Sequence, residues 1–341
     1  MNPVRHRARR LAISALYDGA FKLRVDTSKG GSASGTFVLP CSGSGYNAWV
    51  DWGDGKGEVI SGSPGNVTHV YGSPGIYVVS IKERAPGGFP TIYFNNAGDK
   101  LKALDIVQFG RNRWTTLAGS FHGCANLAFS ATDAAGANTR SVTSLASTFR
   151  DCSAALVEIP WFDTVSVTSL ASVCNNAQKL RKFPKFNGAL VTTVNNGWFN
   201  TLALQDFPAI DLPLCTDFTS AWYLSALTSF PFIDVSAGQN FSNTWRSCTG
   251  MNGYDFPALD LHSITNGAYI LGSVNFSKAS YNSMLDQLAN GRGSIPAAAA
   301  TAVNFYVGAH YDNSTGGYDG TAARGYLTGT KSWAIADGGT P

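Results

Sequence analysis

PWFDTVSVTSLASVCNNAQKLRKFPKFN, residues 160–187, begins and ends on the same short phrase: proline, a variable residue, an apolar residue, then Asp or Asn. The phrase recurs at Pro160, Pro184, Pro208, Pro231 and Pro257, closing on Asp163, Asn187, Asp211, Asp234 and Asp260. The steps between prolines are 24, 24, 23 and 26 residues. A period of this length marks a repeat array, in which each unit buries its apolar face only against its neighbours.

The segments between the phrases superimpose as well. TTLAGSFHGCANL (115–127), VTSLASTFRDCSAAL (142–156) and VTSLASVCNNAQKL (167–180) align closely, and the segments from 193, 217 and 240 follow with weaker identity. Thr143 and Thr168 read as caps of a short helix. The stretches LVEIP, LRKFP, LQDFP, LTSFP and YDFP read as short strands. One helical turn and one strand per repeat predicts a leucine-rich-repeat coil, with Leu145, Leu170, Phe183, Phe207 and Phe230 in its core.

Outward from the repeats the pattern changes. Between 20 and 98, Ala48, Val50 and Trp52, then Tyr77, Val79 and Ile81, alternate with polar residues around Gly- and Pro-containing turns. That period of two predicts an antiparallel β-sandwich. Lys29–Gly35 (KGGSASG) reads as a flexible loop. After 277, Tyr281, Met284, Leu285 and Leu288 have helical spacing that Gly291 ends. VNFYVG (303–308) and TAARGYL (321–327) then predict a strand and a second helix, a small α/β cap. The expected organisation is a basic arm at 1–19, a sandwich at 20–98, a leucine-rich-repeat solenoid at 99–276 and a capping segment at 277–341. The fold class is mainly β with short helices.

Three of these stretches resemble known families. Asp51, Trp52, Gly53, Asp54 and Gly55, followed by His69, Tyr71, Gly75, Tyr77 and Val79, are similar to the two motifs of polycystic-kidney-disease (PKD) type immunoglobulin-like modules. Trp52 stands where that family carries Phe. FDTVSVTSLASVCNNAQKLRKFPKF (162–186) resembles the BspA-like leucine-rich repeats of bacterial surface lipoproteins and phage-encoded proteins. Leu145, Phe149, Leu170, Val173 and Trp198 replace that family's methionines. The C-terminal segment is similar to the ends of phage tail-fibre proteins. Together these resemblances imply a virion appendage protein.

Composition narrows the classes. Of 341 residues 14% are charged, about half the usual share, and 37 are glycine. The formal charge of +3 gives no support to a nucleic-acid partner. The basic cluster Arg5, Arg7, Arg9 and Arg10 reads as a docking anchor or as a solvated terminal arm. Leu11–Leu16 is too short for a signal peptide, and no run is long enough to span a membrane. Six cysteines show neither CxxC nor zinc-ligand spacing; Cys124 and Cys152 fall at matching repeat positions, in reach of a disulfide or as small buried residues.

The Asp/Asn ladder is the tempting catalytic feature, since paired carboxylates would serve a polysaccharide depolymerase. Yet a catalytic pair occurs once, and a ladder in every repeat reads as turn capping. Trp198, Trp222 and Trp245 read as stacked core. Asp51, Asp54 and Glu58 lack EF-hand spacing for Ca²⁺, and no catalytic residue, metal site or cofactor is assigned. The position after each proline varies, so Trp161, Lys185 and Phe232 are expected to point outward as a recognition stripe. The sequence therefore predicts a non-enzymatic virion protein, a fibre, spike or decoration subunit made in the host cytoplasm. Its expected partners are other virion proteins through the arm, a host-surface glycan or protein, and further copies of itself. The alternatives are a BspA-like surface adhesin and, further off, a depolymerase.

Overall fold

A computed structural model describes residues 19–255, 257, 259–275, 277–291, 296–300, 303–307 and 319–337. Six strands come first: β1 Phe21–Asp26, β2 Thr36–Leu39, β3 Tyr46–Asp51, β4 Gly57–Gly62, β5 Val67–Val70 and β6 Ile76–Glu83. β7 (Ala103–Gln108) and β8 (Ala128–Phe129) follow from within the repeat region. They extend one open six-stranded sheet in the order β4-β3-β6-β1-β7-β8, while β2 and β5 pair as a second, two-stranded sheet. The alternating residues behave as read: Ala48, Val50, Val79 and Ile81 are buried.

The turn after β3 is held by Trp52, Asp54, His69 and Tyr71. His69 stacks on Trp52, ring centroids 4.8 Å apart and 2° from parallel, and meets Tyr71 edge-on at 4.5 Å. The Tyr71 hydroxyl donates to the Trp52 carbonyl at 3.0 Å. His69 Nε2 lies 3.0 Å from Asp54 Oδ2. Burial raises the Asp54 pKa, but the bonds from His69 and the Lys56 N–H outweigh it and hold the carboxyl below its ordinary value.

The loop expected to be flexible at Lys29–Gly35 is pinned instead. Lys102 is fully buried and its Nζ donates to the carbonyls of Ser32 (3.0 Å), Ala33 (3.2 Å) and Thr36 (2.6 Å). Asp99 lies 3.6 Å from that ammonium and accepts from the Val38 N–H at 2.7 Å and the Ser32 hydroxyl at 2.8 Å. A buried charge pair survives only when its remaining donors and acceptors are satisfied. Here the loop carbonyls do that.

The repeats correct the predicted fold class. Among the described residues, no α-helix precedes Lys278 and the only strand between Gln108 and Gly267 is the two-residue β8. The sheets are open, and the expected leucine-rich solenoid of helix-plus-strand coils is not formed. Successive repeats meet as stacked turns. Single parallel bridges join Ser144 to Ser169, Ser169 to Thr193, Thr193 to Asp217, Asp217 to Asn240 and Asn240 to Asn266. Past each bridge, alternate N–H groups cross to the next repeat: Leu145 to Ser169 O, Ser147 to Ala171 O, Phe149 to Val173 O and Asp151 to Asn175 O, at 2.8–3.0 Å. The intervening N–H groups close local turns, such as Thr148 to Leu145 O at 3.1 Å.

The reason no helix forms is written in the backbone. Ser147 and Asp151 have φ of 56° and 59°, and Ser172 and Asn176 of 54° and 61°. Two left-handed residues four apart break any α-helix; small Ser, Asn and Asp tolerate that conformation best. The threonines do not cap: Thr168 Oγ1 donates to Thr143 O at 3.1 Å and Thr192 Oγ1 to Thr168 O at 3.2 Å, linking repeats instead. The proline-phrase strands reduce to one bridge, Glu158 to Lys182.

The interior keeps the predicted residues. Leu145, Leu170, Phe183, Phe207 and Phe230 are all buried. One cluster of buried apolar side chains runs from Phe21 to Trp333, so the sheet and the turn stack share a core. At the far end β9 (Gly267–Leu271), from the last repeat, pairs in parallel with β10 (Asn304–Val307), which pairs with β11 (Ala334–Ala336). Helices α1 (Lys278–Asn290) and α2 (Gly320–Gly329) accompany this sheet. Ser277 caps α1 through the Ser280 N–H, and Gly291, at φ 74°, ends it.

Candidate functional site

Three consecutive proline phrases enclose an open groove of about 480 Å³ on the repeat stack. Its floor is aromatic. Phe183 and Phe207 are buried and stack on each other, centroids 6.1 Å apart and 10° from parallel. Both are wedged against Trp198, at 5.0 and 4.6 Å with rings near perpendicular. A floor fixed from beneath loses little freedom when a ligand settles on it.

Pro160 and Trp161 make one wall, Pro208 and Asp206 the other, and Arg181, Lys182 and Pro184 lie between them. Trp161 is 47% exposed, so much of its indole is open to solvent. The Glu158–Lys182 pair at 3.4 Å joins the first two repeats on the surface, where such a bridge contributes little. The central repeat's backbone is engaged with the repeat before it. Arg181 and Lys182 N–H groups donate to Val157 O at 2.8 and 3.3 Å, and Ile159 N–H to Lys182 O at 3.4 Å.

Of the residues expected to form a stripe, all three are exposed, but they do not converge. Trp161 lines the groove, Lys185 stands one residue past its lining residue Pro184, and Phe232, 64% exposed, belongs to a later phrase outside the groove. The arm residues Arg5, Arg7, Arg9 and Arg10 lie outside the described residues. What the sequence reading missed is a second basic cluster: Lys179, Arg181, Lys182 and Lys185, all exposed within seven residues. The signal was available, because no other repeat carries more than one Lys or Arg between its last leucine and its proline phrase.

The acid ladder is occupied by turn chemistry. Asp163 Oδ1 accepts from Val165 N–H, Asn187 Oδ1 from Ala189 N–H and Asp234 Oδ1 from Ser236 N–H, each at 3.0 Å. Asp260 accepts from the His262 backbone N–H at 3.1 Å, and the same Oδ1 lies 2.6 Å from His262 Nδ1. Asp211 departs from the series and accepts from Asp234 N–H in the next repeat at 3.1 Å. A second ladder, at the bridge positions, repeats the device from Ser144 to Asn266. Asp51 and Asp54 likewise accept from turn N–H groups, and Glu58 from the Trp52 indole. Among the described residues no cluster of three His, Cys, Asp or Glu side chains is placed to hold a metal.

All six cysteines are free, buried thiols. Cys152 Sγ donates to Phe121 O at 3.2 Å rather than bonding Cys124. Burial pushes the Cys41 and Cys215 thiols up to about 12 and the Cys248 thiol to about 11. Such thiols are poor nucleophiles, since the thiolate is the reactive form. No protein-family profile, curated protein or solved structure matches this chain.

Proposed function

We propose that this chain is a non-enzymatic structural protein of a tailed-bacteriophage virion, a fibre, spike or decoration subunit that presents its repeat stack for binding. The observation that carries the reading is a division of labour around the repeat prolines. The residue before the proline is buried aromatic at Phe183, Phe207 and Phe230, while the residue after it is exposed at Trp161, Lys185 and Phe232. A scaffold built this way lets its outward residues change without disturbing the core, which suits recognition of a variable host surface. Every member of the Asp/Asn ladder is engaged in a backbone bond, and no two of its carboxylates are paired with each other as a depolymerase would need.

The arm with Arg5, Arg7, Arg9 and Arg10 is the proposed docking end toward other virion proteins, and symmetric particle sites favour a closed oligomer of several copies. Antibody labelling of particles, viewed by electron microscopy, tests the placement: regular labelled sites are expected. Protein lacking residues 1–19 is expected to fold and fail to join particles. Absence of the chain from purified particles would overturn the reading.

A further inference from the structure

We infer that the groove beside Trp161 binds acidic polysaccharide, a sugar ring resting on the Trp161 indole with its carboxylate drawn to Arg181 in the lining and to the exposed Lys185 at its edge. This rests on reading the repeat stack as a binding surface; it does not depend on where that surface is mounted.

Size comes first. A groove of about 480 Å³ falls within the range of small-molecule and oligosaccharide-sized sites. Its shape is fixed, because Phe183 and Phe207 are locked against Trp198. An exposed indole face beside a rigid apolar floor suits the C–H face of a sugar ring, and a cation beside it suits a carboxylate.

Charge decides which sugar. Lys182 is matched by Glu158. Among the described residues, Lys179, Arg181 and Lys185 have no ion-pair partner, while Asp206 is the one unmatched carboxylate of the lining. Arg181 in the lining, with exposed Lys179 and Lys185 beside the lining segment in sequence, outweighs the one free carboxylate and gives this part of the stack a net positive charge. Asp206, on the opposite wall, repels an anion from that wall and so favours the Trp161 end.

Backbone pairing decides against a peptide strand. Capture by strand addition needs a free row of N–H and C=O groups. On the central repeat the N–H groups of Arg181 and Lys182 and the carbonyl of Lys182 are already engaged with residues 157–159. The groove therefore offers side chains.

The test is calorimetric titration of the full chain with oligogalacturonate, with neutral dextran oligosaccharide and with polyglutamate. Oligogalacturonate is expected to bind, more weakly as salt rises, with dextran and polyglutamate at least tenfold weaker. Trp161→Ala, and Arg181→Gln combined with Lys185→Gln, are each expected to weaken binding by about tenfold or more. These residues are exposed, so the variants should keep the parent melting temperature, and Phe232→Ala should bind as the parent does. Equal affinity for dextran, tighter binding of polyglutamate, or unchanged affinity in the double variant would each overturn the inference. None of these results bears on particle incorporation, so failure here stays separate from failure of the proposed function.

Discussion

Trp198 and Trp222, one repeat apart, stack with ring centroids 5.4 Å apart and planes 5° from parallel, and Trp245 continues the column at 5.5 Å. A second column, Phe183, Phe207 and Phe230, runs beside it at 6.1 and 5.9 Å. Each phenylalanine meets the indoles nearly edge-on, as Phe207 does Trp222 at 5.0 Å and 78°. This edge-to-face arrangement presents a positive ring edge to a negative face. Two orthogonal columns of rings thus do the work that a helix and a strand would do in a leucine-rich coil.

Trp222→Ala should therefore cost about 3–5 kcal/mol, the usual loss for emptying a large aromatic site. Trp222→Phe should cost clearly less, because the Trp222 indole N–H has no acceptor to lose. Asp211→Ala should cost only about 1 kcal/mol, for one turn bond. Urea unfolding of the three variants gives the order.

Leu224 occupies a left-handed position, φ 60°, where other repeats carry Asp151, Asn176 and Ser247. Its side chain is over a third exposed, so little packing is at stake. Leu224→Gly should raise stability by about 1 kcal/mol, the strain that an L-residue stores there. Leu224→Val should lower it, since a branched Cβ fits the left-handed region worst. Midpoints of chemical unfolding measure both.

Lys102→Met strands Asp99 in a site where both side chains are fully buried. Breaking a buried pair from one side costs about 3–5 kcal/mol. The same change removes the donor that holds Ser32, Ala33 and Thr36 carbonyls. Limited trypsin digestion should then cut after Lys29 at a low dose that spares the parent protein.

His122 supplies a pH signature. Burial holds its pKa below the ordinary value; the hydrogen bond to Asp151 opposes that, and the charges of Arg150 and Lys100 add to the lowering. As pH falls through about 6.5, the unfolded chain takes up a proton that the folded ring resists. The His122 contribution is thus present above that pH and lost below it. Melting temperature should fall between pH 7.5 and 5.5, and His122→Asn should shrink the fall.

How much of this was legible without coordinates can be seen at single residues. The 24-residue period, the buried set from Leu145 to Phe230, the Trp198–Trp222–Trp245 column and the turn-capping acids were readable, because side-chain periodicity and Asx chemistry are local properties of a chain. Ser147 and Asp151 were not readable as left-handed residues. A stretch such as VTSLAS has acceptable helix propensity, and propensity yields to tertiary context. Only stacking decides: when a neighbouring repeat offers carbonyls at 169, 171, 173 and 175, alternate N–H groups cross to them and the helix is forgone.

The same division holds for the site. That Trp161, Lys185 and Phe232 face outward follows from their place after the prolines. That Trp161 shares a groove with Arg181 while Phe232 does not follows from how three repeats meet over Phe183 and Phe207. Pairing of Lys102 with Asp99, and through it the ordering of a glycine-rich loop some 70 residues away in sequence, likewise belongs to the tertiary structure. A charge separated from its partners along the chain announces nothing until folding removes the water between them.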